Sequence, residues 1–161
     1  MSGILLSHGG FPFSVLSGVD SNEDGTANDR ANLVGDPNTG SCGGIPVHTR
    51  GCRFNPSAFA APTLGTDGNS GRNLLRGPGY VDVDFALVKS FGLHFGPFAE
   101  SQKIDFRLEA FNLFNHPNFL SPVASLGLPT TIGQIQAAYT SNPIGGSGGP
   151  RVLQVALKYV F

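Results

Sequence analysis

Three stretches of the chain alternate apolar and polar residues with a period of two, the pattern of a strand with one apolar and one polar side. In residues 80–91, Val81, Val83, Phe85, Leu87 and Phe91 share one face, and Tyr80, Asp82, Asp84, Ala86 and Ser90 share the other. In residues 103–114, Ile104, Phe106, Leu108, Ala110 and Phe114 lie opposite Lys103, Asp105, Arg107 and Glu109. In residues 151–161, Leu153, Val155, Leu157, Tyr159 and Phe161 lie opposite Gln154, Ala156 and Lys158. A fourth, weaker strand is predicted over 4–17, centred on FPFSVLS, where Pro12 favours an edge or a strand end. A short extended piece is also predicted at 132–139.

The length of these runs matters. Each is about eleven residues, whereas ordinary strands average ~5–6 and membrane-spanning strands need ~9–11. The connections are very unequal: 18–79 and 115–150 are long and rich in Gly, Asn, Asp and Pro, while 92–102 is short. Loops beyond ~12–15 residues are uncommon in compact soluble domains, but long loops on one side and short turns on the other are normal in outer-membrane barrels. Counting back from a periplasmic Phe161 puts both long loops, 18–79 and 115–150, on the extracellular side and 92–102 on the periplasmic side. The expected fold is therefore all-β, with antiparallel up-and-down strands forming the C-terminal part of a transmembrane β-barrel that carries long extracellular loops.

Composition agrees with this reading. Of 161 residues, 23 are Gly and 12 are Pro, roughly twice and half again the average usage. The three clearest strands contain no glycine, so the excess belongs to the loops. Such a chain is a poor helix bundle. With 40% apolar residues and a net charge of −1, it is also a poor disordered one. The ten basic residues are scattered, which leaves no electrostatic case for nucleic acid. No apolar run approaches the ~20 residues of a membrane helix, and the N-terminus lacks the layout of an export signal.

Residues 71–91 (GRNLLRGPGYVDVDFALVKSF) followed by 103–119 (KIDFRLEAFNLFNHPNF) resemble the end of TonB-dependent outer-membrane receptors. The likeness is to the Oar-like group with a carboxypeptidase-regulatory-like domain. Residues 151–161 (RVLQVALKYVF) resemble that family's last strand, and 9–37 the strand and loop before it. The resemblance implies a 22-stranded barrel, and, upstream of these residues, a plug and a TonB box coupling to the inner-membrane energy machinery. It implies a cell outer membrane location in a Gram-negative bacterium and uptake of a scarce solute such as an iron chelate, vitamin or glycan. On this reading the 161 residues are the last four strands of a longer barrel. They would not transport alone, because open sheet edges are not tolerated in lipid. The partners so implied are outer-membrane lipid, the barrel-assembly machinery, the TonB complex and the transported solute.

Within that frame, Val155, Leu157, Tyr159 and the terminal Phe161 resemble the recognition signal of the barrel-assembly machinery; the plainer reading is an amphipathic last strand. The row Asp82, Asp84, Lys103, Asp105, Arg107 and Glu109 is expected to face the lumen, with cross-strand ion pairs to Asp82 and Asp84. Asp20, Asn22 and Asp24 before Gly25, with Asp29 nearby, reproduce the start of a calcium loop. The twelfth position is Ala31 rather than a bidentate Glu, so the segment is not an EF-hand, and a solvated acidic turn is the alternative.

Cys42 and Cys52 are the only cysteines. A disulfide closing their loop suits an oxidising compartment; a metal pair with His48 between them is the other option, without a second cysteine pair to complete it. None of His8, His48, His94 and His116 has metal-ligand spacing with another, and no Ser/His/Asp set is apparent, so no enzyme is expected. The GGSGG run reads as a connector. The competing class is a secreted soluble β domain that binds calcium or carbohydrate through the Asp20 loop. It would have to bury the apolar strand faces against a second sheet.

Overall fold

The structure is a computed structural model and describes residues 1–93, 102–140 and 149–161. His94 and the GGSGG run up to residue 148 lie outside the described residues, as does most of the short 92–102 connection. Among the described residues the strands are β1 (Ser2–His8), β2 (Pro12–Phe13), β3 (Asn32–Leu33), β4 (Ser41–Cys42) and β5 (Ile45–Pro46). They continue with β6 (Phe59–Ala60), β7 (Leu75–Arg76), β8 (Tyr80–Gly92), β9 (Lys103–Phe111) and β10 (Val152–Val160). One 3-10 turn, Pro56–Ala58, interrupts them. No helix among the described residues is long and apolar enough to cross a membrane, which says nothing of crossing by strands.

The chain divides into two compact units. The first comprises Met1–His8, Tyr80–Asn118 and Tyr139–Phe161. Its centre is a four-stranded antiparallel sheet in the order β1-β8-β9-β10, so chain neighbours β8, β9 and β10 are also sheet neighbours. The register turns three separate alternations into one two-sided surface. Leu87, Leu108 and Val155 form one row across three strands, Lys89, Phe106 and Leu157 form the next on the same face, and Phe91, Ile104 and Tyr159 the one after it. Leu5 of β1 joins this face opposite Val83. The reverse face carries the rows Ala86–Glu109–Gln154 and Ser90–Asp105–Lys158. The apolar rows favour strands because aromatic and branched side chains fill a pleated surface well.

Two strand ends differ from the sequence expectation. The run predicted over 4–17 is cut: Ser2–His8 belongs to the sheet, and Pro12–Phe13 pairs instead with Leu75–Arg76 in the second unit. The cut falls at Gly9 and Gly10. A Cβ on Gly10 would lie 1.9 Å from the Gly77 carbonyl oxygen, so only glycine allows the backbones to approach there. The run predicted over 103–114 ends at Phe111, because Asn112 takes a left-handed φ of 49° and turns the chain. Phe114 is thereby removed from the apolar row and stands 73% exposed.

The second unit comprises Gly9–Gly79 and Phe119–Ala138, that is, most of the two segments expected to be open loops. They are folded around a common core of Val15, Ala31, Phe54, Ala58, Phe59, Leu75 and Ile132. Phe54 is its centre, edge-on to Phe59 at 5.7 Å and tilted against Phe13 at 5.9 Å. Burying one such ring is worth about 1.5–3 kcal/mol. Ladders of two residues, Asn32–Leu33 with Phe59–Ala60 and Ser41–Cys42 with Ile45–Pro46, hold the backbone. The piece predicted as extended at 132–139 begins in a turn, with Ile132 N–H donating to the Leu128 carbonyl, before it runs alongside the 119–123 backbone.

Candidate functional site

The polar face of the sheet collects all six residues of the predicted row. Asp105 and Arg107 lie on the same face as Ser90, Glu109 and Lys158, and Asp82 and Asp84 continue that face opposite Leu6 and Ile4. Two ion pairs lie within β9 itself. Lys103 Nζ lies 3.8 Å from Asp105 Oδ2, and the Arg107 guanidinium meets Glu109, each within one strand at i and i+2. Asp84 Oδ1 accepts the Asn112 N–H at 2.9 Å, and Asp82 Oδ2 accepts from the Tyr80 hydroxyl at 3.4 Å. In the register, Leu6 and Ile4 stand directly opposite Asp82 and Asp84, and β8–β9 pairing begins at Phe85. The two ion pairs are part exposed and contribute little, about 0.2–1 kcal/mol each.

The end of this sheet is closed by a set of asparagines that sequence reasoning did not single out. Asn112 and Asn118 are each 1% exposed. Asn112 Oδ1 accepts the His116 N–H, while its Nδ2 donates to the carbonyls of His116 and Gly149. Asn115 Oδ1 accepts the Arg151 N–H at 3.1 Å. Asn118 takes both backbone polar groups of Val81. The signal available in the sequence was the spacing of three asparagines within FNLFNHPNF. Asn tolerates the left-handed backbone seen at Asn112 and Asn115, and its carboxamide substitutes for strand partners where the ladder ends.

The Asp20 loop is turned inward on its own backbone. Asp20 accepts the N–H groups of Asp24 and Gly25, and Asp24 Oδ1 accepts that of Thr26. Asp29, only 5% exposed, accepts those of Ser21 and Asn22 through one oxygen. Asn22 Nδ2 bridges Asp24 and Asp67. Among the described residues no group of three or more His, Cys, Asp or Glu is placed to hold a metal ion. The carboxylates of Asp20, Asp24 and Asp29, the residues expected to converge on calcium with Asn22, here accept backbone N–H groups of the turn. Position 31 shows why the loop closes differently: Ala31 is fully buried in the core, with its N–H on the Val15 carbonyl. Asn22, Asp24, Asn28, Asp67, Arg30 and Arg72 line a polar groove of about 380 Å³ at this place.

Cys42 and Cys52 are bonded to each other, with Cα atoms 5.5 Å apart, so the metal-pair alternative with His48 does not arise. The bridged loop docks on the 119–138 segment: Ile135 N–H donates to the Arg50 carbonyl, Arg53 N–H to the Gly133 carbonyl, and the Arg50 guanidinium lies 5.3 Å from the Phe119 ring centre. The histidines are spread out. His8 stacks on Tyr80 at 5.0 Å, His48 approaches the Asn38 carbonyl and His116 approaches Asn118.

In the last strand, Val155, Leu157 and Tyr159 share the apolar face of the sheet and are 50–70% exposed, and the Tyr159 and Phe161 rings are 5.8 Å apart. A sheet with one uncovered apolar face, one charged face and antiparallel neighbours throughout is a piece of barrel wall. The comparison with known families agrees: the model described as "Outer membrane beta barrel domain" matches residues 1–154. The chain belongs to this family of outer-membrane β-barrel proteins, which places it in the outer membrane of a Gram-negative bacterium. No curated protein and no solved structure matches it. Membership of this family sets aside the secreted soluble domain.

Proposed function

We infer that the chain is the C-terminal barrel segment of a TonB-dependent outer-membrane receptor, a non-enzymatic transporter for energised uptake of a scarce solute. The observation that supports this best is the second unit. Two long connections pack on one core and carry a disulfide, as suits a folded, solute-facing extracellular surface. The residues of 71–91, 103–119 and 151–161 point to the same group of receptors. In this reading β1, β8, β9 and β10 complete a barrel begun upstream, with Lys103, Asp105, Arg107 and Glu109 facing the lumen. The barrel-assembly machinery recognises Val155, Leu157, Tyr159 and Phe161. The TonB complex engages the part of the receptor that precedes these strands, and the polar groove around Asn22, Asp67 and Arg72 meets the solute.

Uptake tests the reading. Cells expressing the receptor should accumulate an iron chelate, vitamin or glycan from dilute medium, and should lose that ability when TonB is deleted. The in-frame sequence upstream should encode a plug domain. A receptor whose activity is indifferent to TonB refutes the energised-transport reading while leaving barrel membership intact.

A further inference from the structure

We propose that Lys89 is the anchor of a binding site for the phosphate of a phospholipid headgroup, on the lipid-facing side of the barrel wall at the Phe161 end. The register sets Lys89 opposite Phe106, on the face that carries Phe85, Leu87 and Phe91 of its own strand. Phe106 is in turn opposite Leu157. On this face, Lys89 is the one charged side chain among the described residues of β1, β8, β9 and β10. Its row neighbours are apolar, its side chain is exposed, and its Nζ lies 5.9 Å from the centre of the Phe91 ring. Among the described residues, neither ion pair includes it.

A lysine on a lipid face costs about 2–4 kcal/mol at the bilayer midplane but only about 0–1 near the interface. Lys89 is placed for the second case. It stands three residues before Gly92, where β8 ends. At ~3.3 Å per residue and a ~45° tilt, that is roughly 7 Å of membrane height. The four-carbon stem spans most of that distance and carries the ammonium to the headgroups. Phe91, Tyr159 and Phe161 gather at the same end, Phe91 and Tyr159 both against Ile104 and Phe161 beside Tyr159. Aromatic side chains of this kind mark the barrel's interfacial girdle. An ammonium held beside an aromatic ring at headgroup depth, with an apolar strip below it for acyl chains, complements one anion available there, the lipid phosphate.

The proposal rests on barrel insertion, which heat-modifiable gel migration of the folded protein reads separately. The test is native mass spectrometry of the folded full-length protein titrated with phosphatidylglycerol. Lys89→Met removes the one charge among the described residues of this face and should insert as well as wild type, yet weaken the first lipid-binding step about tenfold. Lys89→Arg should keep it within twofold. Lys158→Met, on the opposite face, should leave it unchanged, and neither diacylglycerol nor inorganic phosphate should occupy the site. Equal binding by wild type and Lys89→Met in the folded state overturns the proposal, as does equal weakening by Lys158→Met or equal binding of diacylglycerol. Failure of the wild-type protein to give a folded band overturns barrel insertion and the site with it.

Discussion

Asn118 binds Val81 as a strand would: its Oδ1 accepts the Val81 N–H and its Nδ2 donates to the Val81 carbonyl, each at 2.9 Å. One buried carboxamide thus does the pairing at the end of β8, where the backbone ladder with β9 has already stopped. Both groups would otherwise lack a strand partner, and an unpaired buried polar group costs about 1–3 kcal/mol.

Replacing this side chain should therefore be costly. Asn118→Leu, similar in volume but without donor or acceptor, is expected to destabilise the folded protein by about 2–4 kcal/mol, two hydrogen bonds and their desolvation together. Asn118→Asp keeps an acceptor for the Val81 N–H and loses the donor to its carbonyl, so it should fall between wild type and Asn118→Leu. Urea unfolding midpoints of the membrane-inserted protein measure both.

The Cys42–Cys52 bond closes a loop that backbone hydrogen bonds at Arg50 and Arg53 hold against 119–138. Alkylation with a thiol reagent before reduction should add no mass, and two adducts should appear after reduction and unfolding. The double variant Cys42→Ser, Cys52→Ser is expected to lose about 2–4 kcal/mol, the usual worth of a closed loop in the unfolded chain. Limited proteolysis should show new cleavage within 40–54 while β8, β9 and β10 stay protected.

Calcium should do little to the Asp20 loop, since its carboxylates already accept backbone N–H groups. Calorimetric titration with millimolar calcium is expected to give no heat and no shift in unfolding temperature. Asp29→Ala, by contrast, removes the acceptor of two N–H groups at a buried position. It should destabilise the second unit by about 1.5–3 kcal/mol, as loss of hydrogen bonds to a charged group does. A calcium-dependent rise in stability would show that the loop rearranges around the ion.

Deleting Phe161 should reduce the amount of receptor in the outer membrane, because the alternating apolar row of β10 ends on that ring. Quantitative surface labelling against a Phe161→Tyr control checks it. The conservative control should retain most of the signal, and unchanged levels in the deletion would remove the assembly role from this residue.

How much of this could be read in advance depends on the range of the interaction involved. The strands at 80–91, 103–114 and 151–161 were legible because alternation is local: each side chain's face follows from its own parity. Lys89 stands on the apolar side by the same parity, against the preference of its charge. The lumen row was legible as a row but not as a set of pairs, since pairing needs the register between strands, and the register sets Leu6 and Ile4 against the two aspartates. The strand ends at His8 and Phe111 were missed for a different reason. The first depends on Gly10 meeting Gly77, and the second on a left-handed Asn112 held by His116 and Gly149.

The sequence by itself determined an all-β, antiparallel chain with two-faced strands long enough for a membrane, glycine-rich connections and a cysteine pair able to bridge. Those properties are carried by neighbours in the chain. Only the tertiary structure decided that the connections are folded rather than open, because their core joins Val15, Phe54 and Ile132 from distant parts of the sequence. It also decided that the acidic loop satisfies its own backbone, and that three asparagines finish the sheet. Burial and hydrogen-bond partners are properties of what the chain brings together, and no window along the sequence contains both members of a pair such as Val81 and Asn118.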